Sequence, residues 1–444
     1  MASTTITPIP YGSGTIDLAQ QKDITTVFMG NNKFVNFYAQ SNPNIVYAHV
    51  VNVSGLNGGT ASATNGPQFA FPSPAARVRA WRMSDTRLMV LLGNDLRVLE
   101  IDGQDNIAMR SASLINYCTV PLWRGANGAA STSYTSEILT DIHQGAGLVV
   151  HRNTDTSMFV VMKANATPYS SFNSSVSSSG LFVVTFDPVA DTLTSVKTNS
   201  LSETGFPQPQ YGNSSSQGYG IVGHAHVRFA DIPNSENKLI YMIGANSGNA
   251  TITRIARSPY LYWAGVVTPT GQITLLPTTG IPTTSYTADT PHITAVMPLG
   301  DNKYLGFTDA RSFLYHNGTQ WSSSRTIFAS SGAEAFVTGA YAIDDTYFAI
   351  TFAEAPVNTA TGSFRDTLNL LAANQYIRIV RYVDQNFAEV SPATETYTNF
   401  SMGVPLNIEG KFMEKIGPNT LAYYTKSSAT ATDARINIRS IFGA

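Results

Sequence analysis

Charge is scarce in this chain of 444 residues: Asp, Glu, Lys and Arg make up 13% of it, against about 25% in an ordinary soluble protein. The net charge is −2 and there is no run of Lys or Arg. The electrostatic attraction that dominates nonspecific nucleic-acid binding is therefore missing, and no nucleic-acid partner is expected. Cysteine is nearly absent too. A lone Cys118 cannot close an internal disulfide, so no covalent staple is expected and nothing demands an oxidising compartment. Long apolar runs are also lacking: none approaches the roughly 18 residues that span a bilayer as a helix. The start, MASTTITPIPYGSGTIDLAQ, has no basic stretch leading into an apolar one. The expectation is a chain made in the cytosol that does not insert into a membrane.

What is present is apolar and hydroxyl-bearing. Apolar residues at 43% and aromatics at 11% supply side-chain surface for a sizeable core. Ser, Thr, Asn and Gly replace the missing charges and predict a neutral surface. Apolar residues recur with period two almost everywhere, which predicts strands. The helix-like exceptions are SFRDTLNLLAANQY (363 to 376) and, more weakly, SASLINYC (111 to 118).

The strands come in a repeating unit of an apolar run, a tight polar turn and a second apolar run. Copies lie at 25 to 40, 79 to 93, 149 to 164, 227 to 245, 295 to 309, 340 to 354 and 412 to 426. Most copies are followed by another alternating segment, such as NIVYAHVVNV, DLRVLEID or YIRIVRYVD. Meanders of three or four antiparallel strands repeated over one chain predict an all-β fold, a single seven-bladed β-propeller. The last copy, ending in ARINIRSIFGA, lacks an outer strand. Pairing of STTITPI or TIDLA there would close the ring and cover an edge that invites aggregation. The expected organisation is a closing segment at 1–24 and a propeller with long Ser/Thr/Gly-rich loops at 25–444.

Two resemblances follow. In SFLYHNGTQW, Tyr315, Gly318 and Trp321 stand as in the aromatic-x-x-Gly-x-x-Trp endings of many propeller repeats, where Gly makes the turn and Trp covers the blade interface. Scarce charge and cysteine, with β-meanders and loops such as SSFNSSVSSSG (170 to 180) and YGNSSSQGYG (211 to 220), give the whole chain a resemblance to virion-associated proteins of tailed bacteriophages. That resemblance implies a structural or host-recognising part of a tail or capsid.

Candidate chemistry is thin. His224 and His226, two apart on a strand, share one face, and a metal there would need a third ligand such as Asp231 or His292. EIDGQDN (100 to 106) and GDN (300 to 302) are oxygen-rich but lack calcium-loop spacing, and ordinary turns are the favoured reading. No metal or other cofactor is expected. Asp141, Glu334, Glu354 and Glu409 are the carboxylates that glycoside hydrolysis could recruit, but no spacing selects a pair, and the repeated Ser-x-Asp box of sialidase-like propellers is missing. NFYAQ (36 to 40) and the aromatics Tyr260, Tyr262, Trp263 and Trp321 could stack on sugar rings or pack between blades.

The expectation is a non-enzymatic structural component of a bacteriophage virion, in its tail or attached to its capsid. It would dock to neighbouring virion proteins, form a homo-oligomer around a particle axis and contact host surface polysaccharide. The alternative is a carbohydrate-active enzyme, a glycoside hydrolase or sialidase-like protein, on the same scaffold.

Overall fold

The fold is all-β. A computed structural model describes residues 3–6, 25–41, 44–54, 62–71, 78–92, 95–111, 148–164, 178–200, 226–245, 259–277, 293–300, 302–308, 312–322, 325–327, 334–344, 346–355, 375–383, 385–389, 400–405, 413–417, 420–426 and 434–440. Among these residues there is no helix. The helix-like stretches at 111 to 118 and 363 to 376 lie outside them except at their ends: Ser111 is buried in a bend, and Gln375 and Tyr376 open a strand.

After β1 (Ser3–Ile6), the chain forms antiparallel meanders. The first is β2 (Thr25–Gly30), β3 (Lys33–Ser41), β4 (Asn44–Ser54) and β5 (Ser62–Asn65), with β6 (Phe69–Ala70) also paired to β4. The second is β7 (Val78–Arg82), β8 (Arg87–Leu92), β9 (Asp95–Ile101) and β10 (Ile107–Met109). The third is β11 (Leu148–Thr154), β12 (Ser157–Ala164), β13 (Ser178–Asp187) and β14 (Thr192–Ser200). The fourth is β15 (His226–Asp231), β16 (Lys238–Ala245), β17 (Pro259–Val267) and β18 (Ile273–Leu275). The fifth is β19 (Ile293–Gly300), β20 (Lys303–Thr308), β21 (Ser312–His316) and β22 (Arg325–Thr326).

The remaining strands form one nine-stranded sheet. It contains the meander β23 (Glu334–Ala342), β24 (Tyr347–Ala355), β25 (Gln375–Val383) and β26 (Asn386–Glu389). It also contains β28 (Met413–Gly417), β29 (Thr420–Lys426) and β30 (Ala434–Ser440), and β27 (Phe400–Pro405) joins the two groups by pairing with β25 and β29. β1 pairs with β30, placing Ser3 opposite Arg439 and Ile6 opposite Ile436.

Period-two side chains explain why these sheets stack. In β8, RLMVLL, five consecutive residues are buried. Leu88, Val90 and Leu92 enter one apolar cluster with Val35, Phe37 and Val50 of the first meander. Met89 and Leu91 point the other way, into a cluster with Met158, Val160 and Phe182 of the third. The division recurs in β12, where Met158 and Val160 face back and Phe159 and Val161 join Ile240 and Val267. In β20, Tyr304 packs with Leu239 and Tyr241, and Leu305 and Phe307 pack with Phe348 and Ile350. A sheet buried on both faces must lie between two others, and each fully buried Leu, Val or Phe contributes about 1.5–3 kcal/mol.

The tight turns follow from local chemistry. Asn31 and Asn32 link β2 to β3 with φ of 49° and 60°, the left-handed pair that a two-residue hairpin requires and that Asn tolerates well.

Candidate functional site

Antiparallel meanders send alternate connections to opposite ends of the stack. First-to-second and third-to-fourth strand connections share one end, and there they are short, as at 31–32, 83–86, 155–156, 102–106, 188–191 and 268–272. Second-to-third strand connections and those between meanders depart from the other end. The long ones are there: 165–177, 201–225, 246–258, 276–292 and 356–374.

Charge divides with the ends. Asp85, Asp155 and Asp344 sit in short hairpin turns, and Asp102, Asp105 and Asp191 in third-to-fourth turns. At the other end 165–177 carries no charged residue, 201–225 carries Glu203 and 276–292 carries Asp289, while 246–258 carries Arg254 and Arg257 and 356–374 carries Arg365 and Asp366.

Polar bonds tie the short-turn end across successive seams. Lys33 reaches Asp105 at 2.5 Å, and Asn52 Nδ2 donates to the other carboxylate oxygen at 2.6 Å. Burial acts to raise the Asp105 pKa, but Lys33 and Asn52 outweigh it and hold the carboxyl below its ordinary value. Glu100 takes Arg87 at 2.9 Å and also Arg110, whose guanidinium continues to Asp191 at 2.9 Å. Asn153 Nδ2 donates to the Pro269 carbonyl at 2.9 Å, Arg325 to the Gln385 carbonyl at 2.8 Å, and Lys415 to the Ile343 carbonyl.

A group of titratable side chains that includes a histidine lies between the third and fourth meanders. His151, on β11, places Nε2 3.1 Å from Asp231 Oδ1 at the end of β15. Lys238, which opens β16 directly opposite Asp231, approaches the same oxygen at 3.1 Å. His151 stacks on Phe229 at 5.3 Å, and Phe229 stacks on Phe159 at 5.8 Å. Desolvation would raise the Asp231 pKa, but the hydrogen bond and charge of His151 and the charge of Lys238 pull it well below the usual carboxylate range. The imidazole and ammonium are 15% and 13% exposed while the carboxylate is 68% exposed. The group therefore presents an ionised, outward-facing acid held by two sheltered bases.

Asp231 thus has a partner that sequence reading did not assign. The side chains of His224, His226 and His292 lie outside the described residues, and among the described residues no group of three or more His, Cys, Asp or Glu could hold a metal. Asp102, in EIDGQDN, accepts from Gln104 N at 2.8 Å and from Asn106 N and Nδ2 at 2.9 and 2.8 Å, the bonding of an ordinary Asx turn. The Asn106 side chain and backbone lower its pKa. In GDN, Asn302 adopts φ 57° within a hairpin.

Of the aromatic candidates, Tyr260, Tyr262 and Trp263 lie on β17, with Tyr260 opposite Gly244 and Trp263 opposite Met242. Their side chains are outside the described residues, as are those of Asp141, Glu334, Glu354 and Glu409. In NFYAQ, Phe37 belongs to the first apolar cluster and Asn36 is buried, accepting from Thr26 Oγ1 at 2.9 Å. Trp321 is 5% exposed and packs with Leu239, Leu261, Ile293 and Tyr304 between the fourth and fifth meanders. Its ring meets His316 edge-on at 4.9 Å. This is packing of the kind that its turn motif implied.

No family model and no curated protein matches the chain. Similar solved structures include BBS1N in complex with ARL6DN, 8% identical over 100% of this chain and 98% of that one, with a TM-score of 0.38. Polysaccharide lyase Uly1 is 11% identical over 97% of this chain and 92% of its own, with a TM-score of 0.47. Oligogalacturonate lyase from Vibrio parahaemolyticus is 8% identical over 99% and 97%, with a TM-score of 0.42. Two of these three are lyases, and on that finding the expectation of a non-enzymatic chain is withdrawn.

Proposed function

We propose that the meanders are the blades of one closed seven-bladed β-propeller, and that its long-connection end engages a carbohydrate polymer. Closure is supported by β2 of the first meander lying against β28 and by β1 supplying the outer strand beside β30. Residues 1–24 then carry the closing strand and 25–444 the blades.

The observation that carries the functional reading is the division of charge. One end is tied by ion pairs and carbonyl bonds, while at the other the connections 165–177, 201–225 and 276–292 are rich in Ser, Thr, Asn, Gly and Tyr and carry only Glu203 and Asp289 as charged residues. Hydroxyls and amides meet sugar hydroxyls without stripping water from an ion, and Tyr and Trp offer flat faces to sugar rings. A carbohydrate-active protein on this scaffold is the reading preferred here.

The test is a panel of neutral and uronate-containing polysaccharides, read for binding and for new reducing or unsaturated ends. Binding that is lost when 165–177 and 201–225 are replaced by short Gly-Ser connections, with the melting curve intact, is the expected result. Absence of binding and of new ends across the panel overturns the reading.

A second reading, carried by the resemblance of the chain to tailed-phage virion-associated proteins, places the propeller in a particle. The short-turn end would dock to neighbouring virion proteins and the opposite end would meet host surface polysaccharide. Mass spectrometry and cross-linking of purified particles test it. Cross-links to virion neighbours that fall on Lys33, Lys303 and Lys415 support the docking, and absence of the chain from particles sinks it.

A further inference from the structure

We propose that Asn317 is a self-modifying site, at which the backbone nitrogen of Gly318 displaces the side-chain amide nitrogen of Asn317 as ammonia. The turn after β21 holds the reacting groups in an arrangement that its sequence alone does not impose. Asn317 is exposed, and its Oδ1 accepts from Thr319 N at 3.0 Å, Thr319 Oγ1 at 2.8 Å and Gln320 N at 3.0 Å. Three donors polarise the carbonyl and stand where negative charge would develop on that oxygen.

The nucleophile is prepared from the other side. Gly318 N donates to His316 Nδ1 at 3.1 Å, so the nitrogen lone pair of a buried imidazole faces the proton that must leave. Desolvation lowers the His316 pKa, opposed by the carbonyls of Asn302 and Pro277, and this keeps the ring a base near neutral pH. Gly318 sits at φ +100°, with its nearest neighbour, the Asn302 carbonyl oxygen, 3.6 Å from where a Cβ would stand.

The atoms balance without an outside reagent other than water. The Gly318 N–Cγ bond of Asn317 forms as the amide proton passes to His316 Nδ1. Collapse of the tetrahedral centre breaks Cγ–Nδ2, and the nitrogen leaves as ammonia with that proton. Water then opens the five-membered imide at either carbonyl, giving Asp or a β-linked isoaspartyl residue. Either product places a negative charge one turn from Trp321 and Tyr304, in the packing between the fourth and fifth meanders.

The chain carries its own references, Asn57–Gly58, Asn65–Gly66 and Asn127–Gly128. The intact chain is incubated at neutral pH, with and without urea, digested, and mapped by mass spectrometry with fragmentation that separates Asp from isoaspartate. Asn317 is expected to react roughly tenfold faster folded than unfolded, and to resemble the three references only in urea. Thr319→Val removes one donor and lowers the folded rate roughly threefold, and His316→Gln lowers it further. A folded rate at or below the unfolded one overturns the proposal, as does an unchanged rate in every variant that folds; Thr319→Val decides alone if His316→Gln does not fold.

Discussion

Lys33 Nζ lies 2.5 Å from Asp105 Oδ1, joining the first hairpin of the first meander to an outer turn of the second. The Asp105 side chain is 17% exposed, so the pair is sheltered but not dry. Asp105→Asn keeps the turn and removes the charge, and a loss of about 1 kcal/mol at neutral pH is expected in urea unfolding. The carboxyl is held below its unfolded value, so its contribution is complete above about pH 4 and fades as pH falls through the folded value. Wild type and variant therefore converge in acid.

Asp231 gives a second acid-sensitive tie with a smaller expected effect. Its carboxylate is two-thirds exposed, and screening discounts the pull of His151 and Lys238. Asp231→Asn should cost about 0.5–1 kcal/mol at pH 6, with the deficit starting to shrink below about pH 4 and vanishing only in strong acid, as pH falls through the depressed folded value. A double-mutant cycle with His151→Gln should show coupling at pH 6 and none in strong acid. Coupling that persists in acid would assign the contact to packing.

Gly306 is a packing position. A Cβ there would stand 2.8 Å from both Trp321 Cζ3 and Ile293 Cδ1, closer than side-chain carbons approach. Gly306→Ala is expected to destabilise by about 1–3 kcal/mol, because two rigid neighbours must give way. Trp321→Phe in the same background should recover part of the loss, and thermal melts of the single and double variants measure it.

Deleting residues 2 to 19 removes β1 and bares the edge of β30. Loss of the paired backbone and of Ile6 should lower the melting temperature by on the order of 5 °C and promote aggregation. Scanning calorimetry with light scattering measures both, and an unaltered melt would dissociate β1 from stability.

Much of this architecture was written in local pattern. The seven two-strand copies coincide with β2–β3, β7–β8, β11–β12, β15–β16, β19–β20, β23–β24 and β28–β29, because alternation and turn chemistry act within a few residues. The pairing of STTITPI with the last strand was legible for a similar reason: an uncovered edge demands a partner. The candidate site was less so. Asp231 entered only as one of two third ligands, with His292, that a metal at His224 and His226 would need, yet its partner His151 is 80 residues away, and Arg110 meets Asp191 at a distance of 81. Such contacts depend on which turn of one sheet abuts which turn of the next, and period-two alternation in a single strand carries no record of that. Trp321 shows the converse, since its turn motif announced packing while its chemistry invited a sugar.

The joining of Ser3–Ile6 to Ala434–Ser440 sets a timetable for biosynthesis. β1 finds its hydrogen-bonding mate only after β2–β29 have emerged from the ribosome, so an orphaned β-edge travels with the nascent polypeptide over that whole interval. Whatever shields that edge in the interval governs how much protein reaches the finished state, and premature termination anywhere upstream leaves it permanently sticky.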